Sequence, residues 1–214
     1  MPKWASGPTG HPSYWCRAKK ELSDADPVIA DIIKGCGRGG LIGQGDPFVT
    51  LVRSIVAQQI SVRAADSIWN RLEESTGSIS PKMVASRNES ELQSAGLTRR
   101  KASYIRDMAV AVLDGSVAPT MWHEKDDESV IADLVRFRGI GRWTAEMFLI
   151  FHLLRPNILP LDDIGLIRAC ERHYAAGEEM TRDNIKQLAE RWQPWRSVAT
   201  WYLWRSLDPT PVAY

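Results

Sequence analysis

Two glycines one residue apart, each flanked by an apolar helical run, constrain this chain more than any other stretch. From Leu134 to Arg168 it reads LVRFRGIGRWTAEMFLIFHLLRPNILPLDDIGLIR. The apolar spacing predicts a short helix over Ile131 to Phe137, broken at Gly139-Ile140-Gly141, and a strongly apolar second helix from Arg142 through Ala145, Phe148 and Phe151. Pro156 and Pro160 forbid its continuation, because the pyrrolidine ring removes a donor and clashes with the preceding turn. Beyond them Asp162 and Asp163 stand at the head of a further helix, expected to reach about Tyr174. Acids there complement the partial positive charge of a helix amino terminus.

A helix, Gly-x-Gly, helix unit has a definite physical use. Glycine tolerates positive φ and lets another backbone come close, while the second helix opens with N–H groups that lack intrahelical partners. Together they form a cradle suited to a phosphate. Such a turn can equally serve only to join two core helices.

No alternating run long enough for a strand occurs elsewhere, so the predicted fold class is all-α. Residues 1 to 12, rich in Gly, Pro and Ser, read as a loose tail. Helices are predicted over Tyr14 to Leu22 and from Pro27 behind Asp26, and Gly35 to Gly45 demands irregular backbone. Asp46-Pro47 starts a helix whose apolar positions Phe48, Leu51, Val52, Ile55 and Val56 keep helical spacing. It ends in Gln58-Gln59-Ile60-Ser61, with Ser61 placed to cap the next helix. A short helix from Ser90 to Leu97 stops at Gly96, and Arg99-Arg100-Lys101, ordinarily a solvated face, opens another that runs to Leu113. Thr181 caps a helix to Arg191, and Trp192 begins the last one.

The net charge is only +1, so any attraction for a polyanion has to come from local clustering of basic residues. Cys16, Cys36 and Cys170 are isolated, without the spacing of a zinc site or a disulfide framework, which fits a reducing compartment. No apolar run has the length of a membrane span and the amino terminus has no signal-peptide pattern; a cytoplasmic protein with no membrane partner is expected.

Read together, hydrophobic-x-x-Phe-x-Gly-Ile-Gly-x-x-Thr-Ala, an apolar helix and then Asp163 resemble the helix-hairpin-helix motif plus aspartate of the base-excision DNA glycosylase superfamily. Gly-Arg-Trp-Thr-Ala with Trp-x-Pro-Trp-Arg-Ser and the closing Trp204 is similar, from about Asp46 onward, to the bacterial 3-methyladenine DNA glycosylase II family, in a short form without that family's extra amino-terminal domain.

The resemblance implies two helical lobes with the active site in the cleft between them. Residues 1–45 and 155–214 would form a discontinuous lobe, and 46–154 a helical-barrel lobe containing the hairpin at 134–151. It implies a monofunctional glycosylase that flips an alkylated purine, 3-methyladenine first, out of double-stranded DNA and hydrolyses its N-glycosidic bond, leaving an abasic site. Asp163 would stabilise the oxocarbenium character of the sugar and orient or deprotonate the attacking water. An alkylated purine is already cationic, so a second carboxylic acid to protonate the leaving group is dispensable, unlike in most glycoside hydrolases. Asp162 would be a cap or a supporting charge.

Lyase members of the superfamily carry a lysine two residues after the second hairpin glycine; Trp143 stands there, so no strand cleavage is expected. The four-cysteine iron–sulfur loop of a related branch is absent from the sequence. By the same resemblance Trp143 and Trp204 would line the base pocket, with Met147 where a third aromatic stands. Gln59 would wedge into the duplex, supported by Gln58. Backbone N–H groups of Gly139 and Gly141, with Arg138, Arg142 and Thr144, would hold a phosphate. Carbonyls of Val135, Phe137 and Ile140 would hold a monovalent cation, Na+ or K+, with no other cofactor. Trp192, Trp195 and Trp201 are assigned to core packing. The expected form is a monomer in a bacterial cytoplasm, nucleoid-associated when on DNA.

Two other readings stay open on the sequence. A glycosylase for a deaminated or oxidised base would keep Asp163 with a differently shaped pocket. A non-catalytic hairpin module would need Gly139 to Gly141 and have no use for Asp163.

Overall fold

Short polar side chains set where the helices begin. The computed structural model describes residues 11–37, 39–43 and 45–207, among which no strand occurs; of the expected tail, residues 1–10 lie outside the described residues. Helix α1 spans Trp15–Ala25, α2 Pro27–Gly35, α3 Pro47–Ala57 and α4 Val62–Thr76. Pro27 and Pro47 sit in first turns, where a missing N–H costs nothing, and Asp26, Asp46 and Ser61 cap the three later helices. Next come α5 (Pro81–Ala85), α6 (Glu89–Ser94), α7 (Arg99–Leu113) and, after a tight turn of helix at Pro119–His123, α8 (Asp127–Val135). Helix α9 is Arg142–Phe151, α10 Ile164–Tyr174, α11 Arg182–Leu188 and α12 Arg196–Leu207.

Three differences from expectation have local causes. Helix α5 and the turn at Pro119–His123 are too short to show a period; only Ser80 ahead of Pro81 and the proline at 119 mark them. The helix expected from Thr181 to Arg191 tightens into a 3-10 turn at Ala189–Trp192. Helix α12 then starts at Arg196 rather than Trp192, because a residue before proline is pushed out of the α region, and Gln193 is extended ahead of Pro194.

The chain forms two compact units, Met1–Gly43 with Leu149–Tyr214, and Gln44–Phe148. Helix α9 passes from the second into the first, where 154 had been the expected boundary. The residues after Leu149 are held within the first unit: Tyr14 Oη donates to the Leu154 carbonyl at 2.7 Å, and Gly43 lies against the Leu154 side chain.

In the second unit α3 buries Phe48, Leu51, Val52, Ile55 and Val56, and α7 packs against α3, α5 and α6. In the first unit α12 packs against α1, α2 and α10. Trp192, Trp195 and Trp201 are buried there, as expected of core tryptophans.

The first unit is tied together by one carboxylate. Asp26 is fully buried, and its Oδ1 accepts from the N–H groups of Val28 and Ile29 while Oδ2 accepts from Tyr174 Oη and Trp192 Nε1, each at 2.9 Å. A buried anion is tolerable only when its lone pairs are satisfied, and two of these four donors open the helix beside it while the other two come from Tyr174 and Trp192, far along the chain. Asp26→Asn puts an amide N–H₂ against two donors, so urea unfolding followed by tryptophan fluorescence should show a loss of about 2–4 kcal/mol.

Candidate active site and nucleic-acid interface

Helix α10 begins after Pro160, with Asp163 as its N-cap. Oδ1 of Asp163 accepts from the backbone N–H of Leu166 at 2.6 Å and from Trp204 Nε1 at 2.7 Å. The cap therefore falls to Asp163; Asp162 lies exposed and pairs with Arg182 at 2.8 Å. With 6% of its surface exposed, Asp163 is a nearly dry carboxylate whose orientation two donors hold. Trp204 is half-buried, and one face of its indole is taken by Phe151, stacked at 5.7 Å between centroids and 12° between planes.

Gly165 explains how indole and carboxylate come so close. A Cβ at that position would stand 2.9 Å from Trp204 Cδ1 and 3.0 Å from Asp163 Oδ1. In the sequence Gly165 is an ordinary residue of the helix after Asp163, and Phe151 an apolar helix position. The signal available was a glycine in the first turn of a helix, where it is costly without a packing reason.

In the second unit the α3–α4 junction and the hairpin are joined. Gln58 ends α3, and its Nε2 donates to the Gly139 carbonyl at 2.8 Å. Gln59 is exposed with φ +60°, a left-handed conformation that a non-glycine residue adopts at a cost of order 1 kcal/mol. Ile60 and Val62 beside it are also exposed. Lys101 holds this junction from α7: Nζ donates to the carbonyls of Val56 at 2.9 Å and Gln58 at 2.7 Å. Partial burial lowers its pKa. Lys101 is thus a C-terminal clamp for α3, and only Arg99 and Arg100 of the basic triplet present their side chains to solvent.

The hairpin turn closes with Ile140 N–H donating to the Phe137 carbonyl at 3.1 Å. Its two glycines differ. Gly139 has φ +86° and lies flat on Tyr104, whose ring a Cβ would meet at 2.5 Å. Gly141 has ordinary φ and open space where its Cβ would be, immediately before the first turn of α9. Close approach and left-handed backbone belong to the first glycine, and open room for a ligand to the second.

Arg142, expected to help hold a phosphate, is engaged by two carboxylates. Its Nη1 and Nη2 grip Glu128 at 3.0 and 2.5 Å, and Nε donates to Glu146 at 3.0 Å. The hydrogen bond from Arg142 in turn holds the Glu128 carboxyl below its usual range. Arg142 acts here as a strut between α8 and α9, whereas Arg138 is exposed and has no ion-pair partner among the described residues. Trp143 and Thr144 are half-buried in the first turn of α9. Met147, one turn beyond Trp143 on the same face, is buried.

Residues 52–194 match the family described as HhH-GPD superfamily base excision DNA repair protein. A Bacillus subtilis protein, YfjP, provisionally named a DNA-3-methyladenine glycosylase, is 30% identical over 166 residues, which is 74% of this chain and 58% of that protein. DNA-3-methyladenine glycosylase 2 of Escherichia coli is 30% identical over 183 residues, 79% of this chain and 62% of its own. The chain thus spans about three fifths of the length of these two relatives. The crystal structure of a DNA-3-methyladenine glycosidase from Bacillus halodurans is similar with a TM-score of 0.83 and 33% identity, covering 89% of each chain.

The contrast between the two hairpin glycines can be measured. Gly139→Ala should lower the unfolding free energy by about 1–3 kcal/mol, since left-handed strain adds to a clash with Tyr104. Gly141→Ala should stay within about 0.5 kcal/mol of the parent. Equal losses in parallel denaturant titrations would contradict the geometry.

Proposed function

The chain belongs to the HhH-GPD superfamily of base excision DNA repair proteins, and we propose that it is a DNA glycosylase that removes alkylated purines of the 3-methyladenine type from double-stranded DNA. The names of its relatives support the substrate class. The observation that carries the chemistry is the Asp163 carboxylate, nearly dry and hydrogen-bonded at one oxygen by the Leu166 N–H and the Trp204 indole.

An N-glycosidic bond breaks with positive charge building on the sugar. A carboxylate stabilises that charge most where water does not screen it and where its orientation is set beforehand, and fixed donors supply that orientation. The same carboxylate orients the water that attacks the anomeric carbon. A purine made cationic by alkylation takes the pair of the broken sugar–nitrogen bond and leaves as a neutral base, so no second acid is needed to protonate it. Indole and thioether side chains favour a cationic base over a neutral one, and Trp204, Trp143 and Met147 are the candidates for that role. The target nucleotide has to leave the stack, at a cost of a few kcal/mol. Gln59, already displayed in a left-handed turn and braced by Gln58 and Lys101, fills the gap.

The hairpin supplies the backbone grip. Phosphate contacts there position the protein without reading sequence, through the backbone N–H groups of Gly139 and Gly141. A Na+ or K+ ion fits the carbonyl chemistry of the turn, since hard cations take neutral oxygen donors. Val135 and Ile140 would hold it, with the Phe137 carbonyl sharing its lone pairs between the ion and the Ile140 N–H. With Trp143 in place of an amine, the product is an abasic site in an intact strand.

Asp163→Asn separates catalysis from capping, because asparagine keeps an oxygen for Leu166 and Trp204. Release of methylated purines from treated duplex should fall at least about 100-fold, while the denaturation midpoint stays close to the parent's. Retained release would overturn the role of Asp163. Borohydride added during turnover should trap no protein–DNA adduct, as no Schiff base forms.

A further inference from the structure

The second unit carries a cavity of about 300 Å³ lined by Glu89, Arg99, Arg100, Ser103, Tyr104 and Arg138. Three guanidinium groups face one carboxylate. That carboxylate is poorly engaged: Glu89 Oε2 lies 3.9 Å from Arg99 Nε, with the Arg99 side chain 85% exposed. Arg100 and Arg138 have no ion-pair partner among the described residues. This contrasts with Arg142 on the same hairpin, which is saturated by Glu128 and Glu146.

The location of these charges is unfavourable unless something negative joins them. Arg99 and Arg100 are the first two residues of α7, a helix with no acid in its first turn, so two cations sit where the helix already presents partial positive charge. Arg138 adds a third charge from another element. Excess positive potential concentrated in a concave site on a protein of net charge +1 is the pattern of an anion site. Guanidinium forks suit phosphate oxygens, while the Ser103 hydroxyl at the edge of the cavity donates to Asp107 Oδ2 at 3.4 Å.

Tyr104 connects the cavity with the hairpin. Its ring lines the cavity and is also the surface on which Gly139 rests, with a virtual Cβ 2.5 Å away. A group bound among Arg99, Arg100 and Arg138 is therefore one aromatic ring away from the Gly139 turn. We infer that this cavity is a second phosphate site, taking a phosphodiester of the DNA backbone other than the one held by the hairpin N–H groups. The inference rests on the reading of the protein as a duplex-DNA enzyme, but uses neither Asp163 nor base release.

Binding of an undamaged duplex, measured by fluorescence anisotropy across a range of salt concentrations, tests it. Each lost phosphate contact should flatten the slope of log K against log salt by about 0.9. Arg100→Gln should do so and weaken binding severalfold on every sequence. Glu89→Gln should act in the opposite direction and tighten binding. Lys186→Gln, an equal loss of charge on exposed α11, should leave the slope as it is.

The site is overturned if Arg100→Gln matches Lys186→Gln, or if the parent chain binds no duplex. It is also overturned if inorganic phosphate at millimolar concentration protects Arg100 and Arg138 from phenylglyoxal while duplex does not, since the cavity would then serve a free anion. A slope flattened by about 0.9 in Arg100→Gln together with no base release by the parent would sustain this site and remove the catalytic reading.

Discussion

A carboxylate taken out of water has to find its hydrogen bonds inside the protein, and two such groups hold α10 from its opposite ends. At the start, Asp163 caps the helix and receives the Trp204 indole on the same oxygen. At the finish, Tyr174 donates to Asp26, which also takes Trp192 Nε1 and the first N–H groups of α2. Burial, with Asp26 beside it, raises the Tyr174 pKa, so that phenol remains a donor. The helix that presents Asp163 is thus anchored to the amino-terminal helices and to the segment ahead of α12. Orientation set in advance is what electrostatic stabilisation of a developing cation requires, because no reorganisation is then needed as charge appears.

Close approach of backbone to an aromatic ring is the second recurring device. Gly165 lets the Trp204 indole edge reach Asp163, and Gly139 lets the hairpin settle on Tyr104. In both places a methyl group would displace the ring and, with it, the polar group the ring orients or borders. The hairpin is further tethered by Gln58, itself held by Lys101, so the turn and the α3–α4 junction are coupled by direct hydrogen bonds. Strain at Gln59 can persist because Gln58 before it is held by Gly139 and Lys101, and Ser61 two residues on caps α4.

Much of this could be read in the chain of letters. Gly139-Ile140-Gly141 between apolar runs, two prolines and then Asp163 marked the hairpin and the acid at a helix head, and Asp26, Asp46, Ser61 and Thr181 marked helix starts that the structure contains. Roles that depend on which partner arrives from afar were not legible. Adjacent Asp162 and Asp163 have equal claims to a cap until Arg182 takes one and Leu166 and Trp204 the other. Arg138 and Arg142 look alike as hairpin cations until Glu128 and Glu146 close on the second. Lys101 reads as one of three surface charges until α3 brings two carbonyls to it.

What the sequence determined by itself is therefore the all-helical class, the glycine turn between two apolar helices and the helix head at Asp162-Asp163, because glycine, proline, caps and apolar periodicity act through the local backbone. Only the tertiary structure decided which charges are neutralised, which glycine is crowded and which indole meets the carboxylate. Those outcomes depend on ångström-scale distances between residues far apart in the chain, and no local preference encodes them.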